Sequence, residues 1–176
     1  MHLTAARLDN HGLNLAFAFG YGYSTHVCIL RPKARGSVSL ASADPSAAPL
    51  IDPNLLGHED DMEGMVRGMK QVHKILKQSA LDEWRGDEIF PGKAMNSDED
   101  YREFLRAKCD NIYHPVGTCK MGTDDMAVVA PDSMKVHGLE GLRVVDASIM
   151  PTLIGGNTNA PTVMIADKSA DMILGV

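Results

Sequence analysis

Leu13-Asn14-Leu15-Ala16-Phe17-Ala18-Phe19-Gly20-Tyr21-Gly22-Tyr23, running on to Val27-Cys28-Ile29-Leu30, is the stretch on which the fold class turns. Apolar side chains recur at every second position from Leu13 to Tyr23. That period, rich in aromatics, is the pattern of a half-buried strand, and Gly20 and Gly22 suit a bulge or bend within it. Arg31-Pro32 ends the run, and residues 35–41 alternate again, which predicts a second strand. Asp44-Pro45, Ala48-Pro49 and Asp52-Pro53 then make residues 42–53 read as an extended loop.

Further along, the period changes. Met62, Met65, Val66, Met69, Val72, Ile75 and Leu76 recur at three- and four-residue steps, so residues 60–78 read as an amphipathic helix. Asp60 and Asp61 at its start and Lys74 and Lys77 at its end complement the helix dipole. Its methionine stripe suits a core face, with a soft binding surface as the alternative. Residues 79–96 are irregular. Ser97-Asp98-Glu99-Asp100 is a helix-start signature, and Tyr101, Phe104, Leu105 and Cys109 give residues 97–109 one apolar face. The acidic cluster at 97–100 reads as a solvated first turn rather than a metal site. Leu142-Arg143-Val144-Val145 reads as a short buried strand, and residues 160–174 as a last helix with Pro161 in its first turn. The two periods together predict an α+β fold: a mainly antiparallel sheet, including 13–30 and 35–41, covered by the helices at 60–78 and 97–109.

Composition narrows the function classes. The chain has 176 residues, a net charge of −6, 44% hydrophobic and 23% charged residues, which suits a globular domain and excludes a disordered chain. The acidic balance argues against nucleic acid as a partner. Cys28, Cys109 and Cys119 are too few and too scattered for a disulfide framework and suit a reducing compartment. No apolar run approaches the roughly 20 residues that span a bilayer. Met1 is followed by His2-Leu3-Thr4 without a basic signal-peptide region, and patterned sequence begins at once, as at a natural start or at the cut edge of something longer.

Three stretches look unlike scaffold: Ile112-Tyr113-His114-Pro115-Val116-Gly117-Thr118-Cys119-Lys120-Met121-Gly122, Val144-Val145-Asp146-Ala147-Ser148-Ile149-Met150-Pro151, and Gly155-Gly156-Asn157-Thr158-Asn159-Ala160-Pro161-Thr162. Each sets polar groups among Gly, Pro and small residues, which lets backbone approach a ligand closely. His114 is a candidate general base, because an imidazole with an ordinary pKa near 6.5 takes a proton at neutral pH; the plain alternative is a loop histidine that bonds locally. Asn157 and Asn159 precede the last helix, and either suits its N-cap; the functional alternative is a helix N-terminus aimed at an anionic ligand group. The other histidines show no ligand spacing, Cys119 and His114 alone make no metal site, and there is no Gly-x-Gly-x-x-Gly, phosphate loop or Gly-x-Ser-x-Gly elbow.

Taken together, Tyr113 to Gly122, Gly141 to Pro151 and Gly156 to Lys168 resemble three motifs of the C-terminal part of the glucose–methanol–choline (GMC) oxidoreductases, and Arg31-Pro32-Lys33-Ala34-Arg35-Gly36 is similar to the family's Arg-Pro-x-Ser-Arg-Gly. Ala34 stands where the family has Ser, Asp167 where it has Glu, and the glycine-rich dinucleotide-binding unit with which the family begins is absent. The resemblance therefore implies the C-terminal portion of a longer enzyme: residues 1–140 a truncated substrate-binding domain and residues 141–176 a segment returning to the FAD-binding domain. It implies FAD as cofactor, a small alcohol as substrate and the N-terminal flavin-binding portion as partner. It also implies a quinone or other electron carrier as acceptor, with the protein cytoplasmic or peripheral to the inner membrane. By the same resemblance His114 takes the hydroxyl proton of a primary alcohol as hydride passes to flavin N5, Asn159 orients the substrate oxygen, and Asp146, Ala147, Asn157, Ala160 and Pro161 line the flavin. His114 and Asn159 are thus expected side by side. The Gly-Gly-Asn-Thr-Asn run is closer to the aliphatic alcohol dehydrogenases of the family than to its choline dehydrogenases. Alone, the chain is expected to bind FAD weakly and to turn over no alcohol, and an inert fragment without flavin is the competing reading.

Overall fold

The computed structural model describes residues 1–175. In chain order its elements are β1 (His2–Thr4), α1 (Leu15–Ala18), β2 (Ser24–His26), β3 (Ser37–Ser39), β4 (Leu50–Asp52), α2 (Glu59–Leu76), α3 (Asp98–Lys108) and α4 (Asn159–Leu174), with short 3-10 turns at Asn10–Gly12, Ser79–Leu81 and Ala147–Ile149. This is an α+β fold, with antiparallel pairing throughout its two ladders. The chain forms two compact units. The first comprises Met1–Ile29 and Leu56–Cys109, the second Leu30–Leu55 and the chain from Asp110 onward.

In the first unit, α2 begins one residue before the expected start because His58 Nδ1 accepts from the Asp60 N–H at 3.1 Å. α3 begins where its signature places it. Ser97 Oγ accepts from the Asp100 N–H, and the Asp100 carboxylate accepts from the Ser97 N–H, a reciprocal capping box. The methionine stripe is a core face. Met62, Met65 and Val66 of α2 are buried against Tyr101 and Leu105 of α3, with Val27 and Ile29 packed alongside. Gly64 and Gly68 make that last contact possible, since a Cβ on Gly68 would lie 2.5 Å from Val27 Cγ1. Arg102 of α3 pairs with Glu59 and Glu63 of α2.

The run from Leu13 to Leu30 is not one strand. Asn14 Oδ1 accepts from the Phe17 N–H at 3.2 Å and starts the single turn of α1, so local capping overrides the alternating pattern. Phe17 packs beside Phe90 and under Arg7, while Phe19 and Tyr21 point to solvent. Only β2 is strand, and it pairs with β1 in the register His2↔His26, Leu3↔Thr25, Thr4↔Ser24.

In the second unit, β3 confirms the strand read at 35–41, but its partner β4 lies in the segment read as loop. The register is Ser37↔Asp52, Val38↔Ile51 and Ser39↔Leu50. The Asp52-Pro53 step ends β4 without disturbing it, and a Cβ on Gly36 would lie 2.1 Å from the Asp52 carbonyl oxygen, so the ribbon closes tightly there. Residues 142–145 form no strand. Arg143 makes one bridge with Lys135, and the Val144 N–H donates to the Met134 carbonyl, because the neighbouring segment is itself a loop. Val144 and Val145 nonetheless pack on the core expected of them, which centres on Val129, Met134 and Ile149. α4 covers this core with Ile165, buries Ser169, and ends at Gly175 in the left-handed region at φ +73°. Its Val163, Met164, Ile173 and Leu174 are exposed. Among the described residues no helix is long and apolar enough to cross a membrane.

Candidate active site

The segment carrying His114 is shaped by its own backbone. Asn111 Oδ1 accepts from the Tyr113 N–H at 2.9 Å, and Tyr113 sits at φ +66°, a left-handed conformation that an aromatic residue rarely adopts. His114 follows, half-buried, and Pro115 holds it away from the helical region. Gly117, at φ +90°, turns the chain back. The Cys119 N–H then donates to the Ser148 carbonyl at 3.0 Å and the Met121 N–H to the Ile149 carbonyl at 2.8 Å. The first motif is thereby laced to the second.

The second motif is a 3-10 turn. Asp146 Oδ1 accepts from the Ser148 N–H at 2.7 Å and from the Ser148 hydroxyl, so that oxygen caps the turn that Ala147 opens. Ile149, at 0% exposure, anchors the turn in the core. Beside it, Lys120 pairs with Asp124 at 2.8 Å, and that bond, with the Met126 N–H, holds the Asp124 carboxyl below its usual range.

The third motif leads into α4. The Arg31 guanidinium lies against Gly155, where an added Cβ would be 3.1 Å from it. Neither expected asparagine caps the helix. Thr158 occupies the N-cap position at φ −86°, ψ −7°, and its side chain makes no cap bond. Its hydroxyl is turned instead to His114, with Nδ1···Oγ1 at 2.9 Å across 44 residues of sequence. The contact brings the imidazole to the residue immediately before Asn159. Asn157, Asn159 and Ala160 are exposed, and Pro161 is half-buried in the first turn.

Thr158 is the residue that sequence reasoning passed over. A signal was present. Pro161 is the third helical residue and has no N–H, so one of the two donors an N-cap hydroxyl serves is missing. The arrangement sets a half-buried imidazole with one nitrogen tied and the other on the opposite ring edge, beside a helix N-terminus carrying partial positive charge. Among the described residues no cluster of three His, Cys, Asp or Glu can hold a metal ion.

Residues 32–166 match the family model of the GMC oxidoreductases. The chain belongs to the GMC oxidoreductase family. It is 46% identical over 98% of its length to an alcohol dehydrogenase [acceptor] of Pseudomonas putida, and 46% identical over 99% of its length to an oxygen-dependent choline dehydrogenase of Cronobacter sakazakii. It spans 31% of the length of each. Among solved structures it superposes on 26% of the Aspergillus oryzae formate oxidase chain in a study of that enzyme's FAD modification, with a TM-score of 0.76 and 30% identity over 82% of this chain. The motif around His114 and the turn at Asp146 lie inside the matched GMC segment, as does the first half of α4.

Proposed function

We propose that this chain is the C-terminal portion of an FAD-dependent alcohol dehydrogenase that oxidises a primary alcohol to an aldehyde. The observation that carries the reading is the bond from His114 to Thr158, directly before Asn159, within a chain of this family. Residues 1–140 are assigned to the substrate domain and residues 141–176 to the flavin-binding part.

The residues present fit a flavin. Thr158 leaves the N-terminus of α4 without a side-chain cap, small Ala160 and exposed Asn157 stand at that end, and Val163 and Met164 are exposed in the turn that follows. A helix N-terminus of this kind favours an anionic ring edge. When bound, FAD supplies the two-electron acceptor for the carbinol carbon. His114 Nε2 takes the hydroxyl proton, which lowers the barrier to forming the carbonyl. The Asn159 carboxamide N–H donates to the substrate oxygen; it cannot titrate, so it orients without competing as a base. Asp146, with Oδ1 held by Ser148, contributes through the shape of its turn and through Ala147. Pro161 fixes the first turn of α4.

Choline is the second reading, supported by the 46% identity to a choline dehydrogenase. Against it, the Gly155-Gly156-Asn157-Thr158-Asn159 run is closer to the aliphatic alcohol dehydrogenases of the family than to its choline dehydrogenases. The proposed setting is cytoplasmic or peripheral to the inner membrane, with a quinone or other carrier as acceptor.

The test is a chimera in which this chain replaces the matching third of the P. putida relative. Primary aliphatic alcohols and choline are assayed with an artificial electron acceptor. Flavin retention and oxidation of aliphatic alcohols support the reading, and oxidation of choline alone supports the second. A folded, flavin-free and inactive chimera supports the inert fragment.

A further inference from the structure

The proposed role of His114 requires one particular tautomer, and the structure contains a group able to select it. To take a proton, Nε2 must carry a lone pair, so the neutral ring must carry its hydrogen on Nδ1. The atom facing Nδ1 is Thr158 Oγ1, at 2.9 Å. Three features fix that hydroxyl. Thr158 is 8% exposed. Its carbonyl accepts both the N–H and the hydroxyl of Thr162, at 3.0 and 2.7 Å, so its backbone is pinned to the first turn of α4. Its side chain is β-branched and therefore stiff about χ1. The usual competing use of an N-cap hydroxyl is weakened as well, because Pro161 offers no N–H.

We propose that Thr158 is a positioning residue whose hydroxyl accepts from His114 Nδ1–H and so keeps the Nε2 lone pair for the substrate hydroxyl. The inference rests on the reading of His114 as the base. The bond suits proton uptake, because Nδ1–H donates to the same oxygen in both the neutral ring and the imidazolium. Only Nε2 changes state. A hydroxyl adds no charge to the pair, so its part is to orient the ring and fix the tautomer.

The primary test is the tautomer itself. The 176-residue chain, labelled with 15N-histidine, is examined by long-range 1H–15N correlation above the histidine titration, beside Thr158→Val and Thr158→Ser. The expected spectrum shows His114 protonated at Nδ1 in the parent and in the Ser variant. In the isosteric Val variant it shifts toward the Nε2–H form that free histidine prefers. A parent ring protonated at Nε2, with the Thr158 hydroxyl donating to it, overturns the proposal, as does a tautomer unchanged by Thr158→Val. If the Val variant loses its amide dispersion, the parent and Ser spectra decide alone.

In the chimera, Thr158→Val is expected to lower kcat about ten- to a hundred-fold with KM little changed, and Thr158→Ser to restore most of it. The two readings fail separately. A chimera indifferent to His114→Ala defeats the base assignment. One sensitive to His114→Ala but indifferent to Thr158→Val defeats only this inference.

Discussion

The core of Met62, Met65, Val66, Tyr101 and Leu105 and the core of Val129, Met134 and Ile149 are closed by different means. The first is two helices. α2 and α3 satisfy their own backbones, begin with side-chain caps, and meet through side chains and the Arg102 ion pairs. The second is mainly loops. Its backbone groups are satisfied by one irregular segment bonding another, as in Met121 to Ile149, His137 to Val128 and Ala130 to Lys135. The contrast shows why the candidate chemistry lies in the second unit. Both units bring a hydroxyl to a distant imidazole, Tyr101 to His73 between α2 and α3 at 3.0 Å and Thr158 to His114 at 2.9 Å, but only loops laced by main-chain bonds also hold residues such as Tyr113 and Gly117 at positive φ beside the ring.

Truncating each core tests the contrast most severely. Ile149→Ala and Leu105→Ala should each cost about 2–5 kcal/mol, measured by denaturant unfolding. Hydrogen exchange should separate them. Ile149→Ala should release the amides of Cys119 and Met121 first, and Leu105→Ala those of α2 and α3. Identical patterns would show that the two cores are not held separately. A smaller effect is expected at Gly68. Alanine there improves helix propensity, but its Cβ meets Val27 Cγ1 at 2.5 Å, so a net loss of about 1–3 kcal/mol is expected. A gain in stability would show that the Val27 side chain yields freely.

The smallest effect belongs to the α3 cap. Ser97→Ala should cost about 0.5–2 kcal/mol, read from thermal unfolding. It should also change the acid response. The bond from the Ser97 hydroxyl, with those from the Ser97 and Asn96 N–H groups, lowers the Asp100 pKa. A depressed carboxylate stabilises the fold above its unfolded pKa, and that stability is lost as pH falls through the lowered value. Removing the hydroxyl should therefore make this acid-dependent loss smaller and complete it at a higher pH, closer to the ordinary carboxylate range. Superimposable acid profiles would separate the cap from the titration.

What was legible in the sequence follows the same division. α2, α3 and α4 show their period, and Ser97 and Asp100 show their cap, because the interactions that make a helix lie within four residues. The aromatic alternation of residues 13–23 misleads because Asn14 offers its own backbone a turn, a local bond that the alternating pattern does not reveal. β4 was masked by the prolines on either side of it, and residues 142–145 by apolar side chains that pack without pairing. The three motifs point to His114 and Asn159 by resemblance. The partner of the imidazole lies beyond any local pattern, since a contact between residues 114 and 158 exists only after the loops close.

His114→Ala in the chimera tests the central claim directly. Turnover of a primary alcohol and the flavin spectrum are measured together, so that loss of cofactor and loss of catalysis are distinguished. The account expects retained flavin and turnover reduced by about two to four orders of magnitude. Flavin retained with turnover within a few-fold of the parent would contradict it.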